Sequence, residues 1–351
     1  MSSILVTGGT GFIGSHTCLL LLERGYKVYL VDSNINSSKS VIDNIKLIIS
    51  KRDSKKINNL NFIKTDLMNS TMINNIFQIA KDKKEPIESV IHFAGLKSVG
   101  ESNKYPLMYW ENNVSGTINL LKIMSQNDCT NLIFSSSATI YSSKSKAPIT
   151  EETAIDPINT YGNTKATVEK ILSDLHKSDP TKWRIANLRY FNPIGAHPSG
   201  FLGENPQGKP NNIFPLINLV ATKELEKLTV YGNDWNTPDG TCIRDYIHVM
   251  DLAEGHISAL NHLNSKSPRI LNLNLGTGKG TSVLELINIF EKINNVDIPY
   301  SVGSRRIGDN ENVVANNSLA CDLLNWKPSR SLEEMCRDGW KWKCKNKTRI
   351  K

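Results

Sequence analysis

Short apolar runs alternate with amphipathic helical stretches through the first half of the chain. The runs at 4–6, 28–31, 60–63, 90–93 and 132–134 are brief, dominated by Val, Ile, Leu and Phe, and each adjoins a plausible helix. A strand covered on both faces reads as a continuous apolar block rather than an alternating one. This rhythm therefore predicts βαβ units feeding a parallel sheet. A further run at 185–191 extends it.

Beyond Pro193 the texture changes. Gly195-Ala196-His197-Pro198-Ser199-Gly200 and Asn205-Pro206-Gln207-Gly208 are loop-forming stretches. They open a second, smaller lobe with candidate helices at 213–221, 251–263, 282–293 and 332–342. Strand-like runs at 228–231, 246–249 and 270–275 lie between them. At 351 residues the chain exceeds the common size of one core. The reading is an α/β protein: a Rossmann-type doubly wound parallel sheet over 1–192, with room for later returning segments, and a mixed α/β substrate lobe over 193–345. A basic tail, 346–351, follows. No internal repeat is visible.

The turn after the first strand carries chemistry. Thr7-Gly8-Gly9-Thr10-Gly11-Phe12-Ile13-Gly14 joins a strand to a helix and satisfies the spacing G-x-G-x-x-G. Glycine permits the tight turn, lets backbone N–H groups approach a pyrophosphate, and allows helix and strand to pack closely. The helix N-terminus adds a favourable potential for the anion. Asp32 ends the second strand, where a carboxylate can accept both hydroxyls of an adenosine ribose and would repel a 2′-phosphate, so NAD is expected rather than NADP. Asp66 ends the third strand at a position suited to an adenine contact. Phe93-Ala94-Gly95 ends the fourth at the ligand-binding edge.

Tyr161 and Lys165 stand four residues apart, on one face of a helix. A free phenol titrates near ~10, and a neighbouring cation together with a nicotinium ring is expected to favour the phenolate. Lys165 can also hold the ribose. Ser137 ends the fifth strand on the ligand side and can hydrogen-bond a reacting sugar hydroxyl.

Composition narrows the class. Hydrophobic residues make up 39% and charged residues 22%, as in a globular protein rather than a disordered one. The leucine run 19–22 is far too short to span a bilayer, and the first residues lack the basic start and apolar core of a secretory signal. A cytoplasmic location is expected. The six cysteines lack paired spacings, which predicts reduced thiols and no metal centre. The net charge of +8 is carried largely by segments such as 51–56 and 341–351. No aromatic-basic module accompanies it, so neither nucleic acid nor membrane is an expected partner.

Longer stretches carry a resemblance. His92-Phe93-Ala94-Gly95-Leu96-Lys97, residues 133–139, Arg189-Tyr190-Phe191-Asn192-Pro193, residues 195–200, Pro206-Gln207-Gly208 and Arg244-Asp245-Tyr246-Ile247-His248-Val249-Met250-Asp251-Leu252-Ala253 are similar to the UDP-glucose 4-epimerase family, within the extended short-chain dehydrogenase/reductases. The likeness runs from Ile4 to about Trp342. It implies Ser137, Tyr161 and Lys165 as the catalytic set. For NAD it implies contacts from the glycine turn (Gly8, Gly11, Phe12, Ile13, Gly14), from Asp32, Ser33, Asn36 and Ser37 after the second strand, and from Asp66 and Leu67 after the third. Phe93, Ala94, Gly95, Lys97, Asn112, Ser135, Tyr161, Lys165 and Tyr190 complete that set. For the UDP-sugar it implies Lys97, Ser137, Tyr161, Asn192, Asn212 and Ile213, then Thr229, Tyr231, Arg244, Arg306, Asp309 and Val313. The arginines make independent sense, because a guanidinium fork matches diphosphate oxygens.

The implied reaction interconverts UDP-glucose and UDP-galactose through a 4-keto sugar with transient NADH, in a homodimer formed by helices around 103–126 and 160–176. Members restricted to unacetylated sugars resemble one another in a tyrosine seven residues after the arginine of Arg-x-Gly-Asp. Here Arg306-Ile307-Gly308-Asp309 leads to Val313, so UDP-GlcNAc and UDP-GalNAc are expected substrates as well. A sugar-nucleotide 4,6-dehydratase would need an acid pair where Ala138 and Thr139 stand. A nucleotide-sensing regulator could dispense with Tyr161 and Lys165, yet both are present.

Overall fold

The structure, a computed structural model, describes residues 2–206, 208, 210–306 and 308–349, of which 347–349 are described in backbone alone. Gln207 and Ile307, each within a motif above, and the last two residues of the basic tail lie outside the described residues.

Seven parallel strands form the central sheet. The first six in chain order are β1 (Ser3–Thr7), β2 (Lys27–Asp32), β3 (Leu60–Lys64), β4 (Ile87–His92), β5 (Asn131–Ser137) and β6 (Arg184–Tyr190). Across the sheet they run β6-β5-β4-β1-β2-β3, with the strand Arg269–Leu275 outside β6. Alternate residues feed two cores. Ile4, Val6, Val28, Leu30 and Leu188 face a layer built from α1 (Phe12–Glu23), Ser40–Ser50 and Val249–Ser265. Leu5, Tyr29, Val31, Val90 and Phe134 face Ser70–Asp82, Gly116–Gln126 and Thr160–Ser178. Each fully buried aliphatic side chain contributes ~1.5–3 kcal/mol relative to exposure. α1 is buried nearly all round between sheet and helix Val249–Ser265, which accounts for the leucine run at 19–22. No helix among the described residues is long and apolar enough to cross a membrane.

The smaller lobe has its own core, in which Phe214, Ile217, Val230, Leu286, Phe290 and Met335 meet. Its strands are short: Leu228–Tyr231 pairs in parallel with Tyr300–Gly303, and Ile243–Arg244 lies between Thr281–Ser282 and Asn312–Val313. Two elements placed above in the second lobe sit with the large sheet instead. The run at 270–275 is its seventh strand, in register with β6, and the helix read at 251–263 packs on α1. The chain leaves the sheet for the smaller lobe and returns, so linear sequence position misplaces these segments.

Because the order reverses between β1 and β4, the loops after those strands diverge and leave a crevice at their carboxyl ends. Every functional group discussed next that comes from the large sheet lies at that edge.

Candidate active site

The glycine turn is built for close approach. Gly8 has φ +66°, and a Cβ placed there would stand 2.6 Å from the Ala94 backbone nitrogen. A Cβ on Gly14 would stand 2.4 Å from the Gly8 carbonyl oxygen. The Gly8 amide donates to Val31 O at 2.8 Å, tying the turn to β2. α1 then begins at Gly11 with no side-chain cap and no acidic residue in its first turn, so its leading N–H groups are available to an anion. Phe12 and Ile13 pack back against the sheet core.

Asp32 is buried at the end of β2. Its carboxylate accepts from the Thr10 amide at 3.0 Å, the Asn34 amide at 2.8 Å and the Ser37 hydroxyl at 3.1 Å. Ser37 also meets Thr10 Oγ1 at 2.7 Å, so the glycine turn and the loop after β2 form one hydrogen-bonded unit. Ser33 is half-buried beside it and Asn36 is exposed. Asp66 accepts from the Met68 amide, and the buried Leu67 carbonyl accepts from Asn119.

Opposite, the β4 end is held by side chains. Thr7 Oγ1 meets His92 Nδ1 at 2.6 Å, and His92 Nε2 meets Thr117 Oγ1 at 2.9 Å; burial pushes this imidazole down to about 3. The helical segment at 106–126 widens over Trp110–Ser115, a local departure that recurs at functional sites. Asn112 is half-buried there. Asn113 is buried and clamps the β4 loop through both the Leu96 amide and carbonyl, at 2.8 and 3.0 Å, and donates to Thr164 Oγ1.

Helix Thr160–Ser178 brings up Tyr161 and Lys165, with Asn159 capping its start through the Gly162 amide. Lys165 is buried; its ammonium donates to the Ser135 carbonyl at 2.7 Å and lies 5.8 Å from the Tyr161 ring centroid. A Cβ on Gly95 would be 3.9 Å from the same nitrogen, which places Lys165 against the β4 loop. Ser137 Oγ accepts from the Thr139 amide and hydroxyl at 3.2 and 2.9 Å and interacts with the Tyr161 phenol. Ser137, Tyr161, Lys165, Ser135 and Gly95 are thus one cluster. Burial lowers Lys165 to about 8, opposed by the charge of Glu169.

Lys165 by itself does not hold the phenol low; the expectation paired it with a nicotinium ring. Desolvation pushes Tyr161 up to about 12, and only the hydrogen bond with Ser137 works the other way. The ammonium lies against a carbonyl and under the ring rather than at the phenol oxygen, which is why its charge does little there.

Behind the cluster stand groups that sequence reasoning missed. Arg189 and Glu169, both buried, form a two-pronged ion pair at 3.0 and 2.7 Å. Glu169 also accepts from Ser136, and Arg189 donates to Tyr141 Oη at 2.9 Å. Tyr190 is buried against His256. The signals existed: a charge inside an apolar strand must be paired, and Glu169 lies one helical turn past Lys165.

A second cluster occupies the smaller lobe. Arg244 and Arg306 converge on Asp309 at 3.7 and 2.9 Å, and the Arg306 guanidinium stands 4.9 Å from the Tyr231 ring centroid. This corner is positive and aromatic, suited to a nucleoside diphosphate. Thr229 lies on the same strand as Tyr231, and Asn212 precedes the helix that Ile213 begins. Asn192 is tied to the Asp245 carbonyl through its amide and side chain. Asp245 itself is fully buried and knits the lobe by accepting from Thr277, Gly278 and Ala315; burial nonetheless raises its carboxyl. Val313 pairs with Arg244 in parallel register and packs against the small core of Ile140, Tyr141, Ile149, Phe191 and Ala315, against which Ala138 also packs. Lys97 stands apart: it is exposed and pairs with Glu204 at 2.9 Å.

The chain matches the family model for GDP-mannose 4,6 dehydratase over residues 5–339. It is 49% identical over 348 residues to UDP-glucose 4-epimerase 1 of Oryza sativa subsp. japonica, covering 99% of this chain and 96% of that one. It belongs to the UDP-glucose 4-epimerase family. The solved UDP-glucose 4-epimerase of Stenotrophomonas maltophila, with bound NAD and formylated UDP-arabinopyranose, superposes with TM-score 0.93 at 42% identity, covering 100% of both chains. The UDP-Glc/GlcNAc 4-epimerase of Campylobacter jejuni gives 0.81 at 32% identity, covering 98% of this chain and 100% of that one. The dehydratase description belongs to the wider family model. At the end of β5 this epimerase-family chain has Ala138 and Thr139, neither of which can serve as a carboxylic acid.

Proposed function

We propose that the protein interconverts UDP-glucose and UDP-galactose by reversible oxidation at C4 of the sugar, with NAD as resident cofactor. The observation that carries this reading is the Ser137, Tyr161 and Lys165 cluster at the sheet edge that also holds the glycine cradle, with no acid pair beside it. The cradle fits NAD: a Cβ at Gly8 or Gly14 would obstruct it, the α1 N-terminus is uncapped, and Asp32 would hold the ribose.

NAD, when bound, supplies the reversible hydride acceptor and a positive ring whose field favours the phenolate. Tyr161 takes the proton from the C4 hydroxyl while Ser137 holds that hydroxyl in line. Lys165 fixes the ribose. Arg244 and Arg306 anchor the diphosphate, so the 4-keto sugar can turn about its link and present its other face. Tyr161 then returns the proton. Such a cycle needs a firm grip on UDP and a loose one on the sugar. Denaturing the purified protein should release NAD detectable by mass, and the native protein should turn over UDP-galactose. Tyr161→Phe should be inactive yet keep its NAD; near-normal turnover would refute the assignment.

The reading extends to UDP-GlcNAc and UDP-GalNAc. Val313 is a small side chain on the same small core as Ala138, the residue after Ser137, and a ring in its place would crowd the sugar. Comparable turnover of both substrate pairs is expected, and none of the acetylated pair would sink this extension. We further place the protein in the cytoplasm, consistent with six free thiols. As a homodimer it would cover Leu107, 81% exposed, with Tyr105 and Trp110 beside it; a monomer in sedimentation would exclude that.

A further inference from the structure

His256 lies on helix Val249–Ser265 and is fully buried, with its ring 4.7 Å from Phe93 and 5.1 Å from Tyr190, centroid to centroid. Its Nδ1 is 2.8 Å from the Leu252 carbonyl oxygen. A carbonyl can only accept, so Nδ1 carries a proton. Burial holds the imidazole down to about 4, so it is neutral at physiological pH and its Nε2 presents a lone pair. The atom facing that lone pair is Tyr190 Oη. The phenol must therefore donate its only hydrogen to His256, away from the crevice. Its oxygen is left with lone pairs, one of them met by the Ser135 hydroxyl.

Tyr190 stands opposite Ser137 in the register of β6 with β5, and Tyr161 is close enough to oppose its ionisation. Any ring that reacts beside Tyr161 is thus near Tyr190. We infer that His256 is a positioning residue that makes Tyr190 an obligate hydrogen-bond acceptor for the carboxamide amino group of the bound nicotinamide. This rests on the reading that the crevice holds NAD. It assigns a role to a helix of the opposite layer from the one carrying Tyr161 and Lys165. It also explains a polar side chain in the apolar stripe of a helix otherwise buried through Val249, Leu252, Ala253, Ile257 and Leu260.

The first test needs no substitution. In NAD-loaded protein labelled with 15N-histidine, the His256 resonances should show a protonated Nδ1 and an unprotonated Nε2. A protonated Nε2 overturns the inference while leaving the NAD reading intact; wild-type protein without NAD overturns both. The second test is a cycle of NAD dissociation constants over Tyr190→Phe, His256→Phe and the double variant. Each single change should weaken retention about tenfold, and the double no further than either, because both remove the same oriented acceptor. His256→Gln, which keeps a side-chain acceptor, should recover part of the loss and provides a milder variant should His256→Phe not fold. Retention unchanged in a folded His256→Phe, or losses that multiply in the double variant, would reduce His256 to core packing.

Discussion

Glu169→Gln isolates what the buried ion pair does for Lys165. The change keeps shape and removes one charge from a pair in which Arg189 is 2% and Glu169 6% exposed. Two consequences follow. The Arg189 guanidinium loses its counter-charge in a buried site, a defect worth about 3–5 kcal/mol. At two to four degrees per kcal/mol in a domain of 150–250 residues, that predicts a melting temperature lower by roughly 6–20 °C. Lys165 meanwhile loses the carboxylate that favours its charged form. Two unit charges about 6 Å apart at an effective dielectric of about 20 interact by about 2.8 kcal/mol. Arg189 cancels much of that field, so a net fall of about one pH unit is expected. The sign is definite: removing a negative neighbour makes the ammonium harder to keep, so the alkaline limb of kcat/KM, where Lys165 loses its proton, moves to lower pH. UDP-galactose turnover against pH, with bound NAD assayed at each point, measures it. A folded, NAD-loaded variant whose alkaline limb stays in place would refute the proposed coupling.

Asp32→Ser removes the acceptor of the Thr10, Asn34 and Ser37 bonds and the repulsion toward a 2′-phosphate; NAD retention should fall about tenfold or more while NADP binding becomes measurable by titration. Gly14→Ala sets a methyl group 2.4 Å from the Gly8 carbonyl oxygen; a loss of about 1–3 kcal/mol in stability, with NAD missing from the purified protein, is the expected result. Val313→Tyr adds a ring at the small core shared with Ala138; kcat/KM for the acetylated pair should drop at least tenfold relative to UDP-galactose, and equal losses on both pairs would show general damage instead.

The parts of the site legible in the sequence share one property: each follows a parallel strand. Gly8 follows β1, Asp32 ends β2, Ala94 follows β4 and Ser137 ends β5. Chain order alone places them at one edge, and Tyr161 joins them because its helix follows β5. What escaped reading depends on contacts across layers. His256 reaches Tyr190 over 66 positions, and Glu169 reaches Arg189 from the helix that covers that face of the sheet. The seventh strand escaped for the same reason: an apolar run at 270–275 carries no mark of which sheet it will join. Electrostatics were legible only in kind. Sequence puts an ammonium one turn from a phenol, but only the coordinates show it bonded to the Ser135 carbonyl, leaving burial to dominate the phenol.

That dominance bears on how such a site can work at all. A phenol pushed up to about 12 is a poor base at neutral pH, and an ammonium lowered to about 8 is only partly committed to its charge. Neither residue alone is poised. Ligand binding brings charges of both signs, and the two pKa values are displaced in directions that bound positive charge and a bound hydroxyl would change. On the proposed mechanism the phenol would stay protonated until the positive ring of NAD is bound, which would tie proton abstraction to an occupied cofactor site. A buried phenol that is neutral at rest, with Glu169 favouring the charge on Lys165, would make the Tyr161 and Lys165 pair conditional on its ligands rather than permanently active.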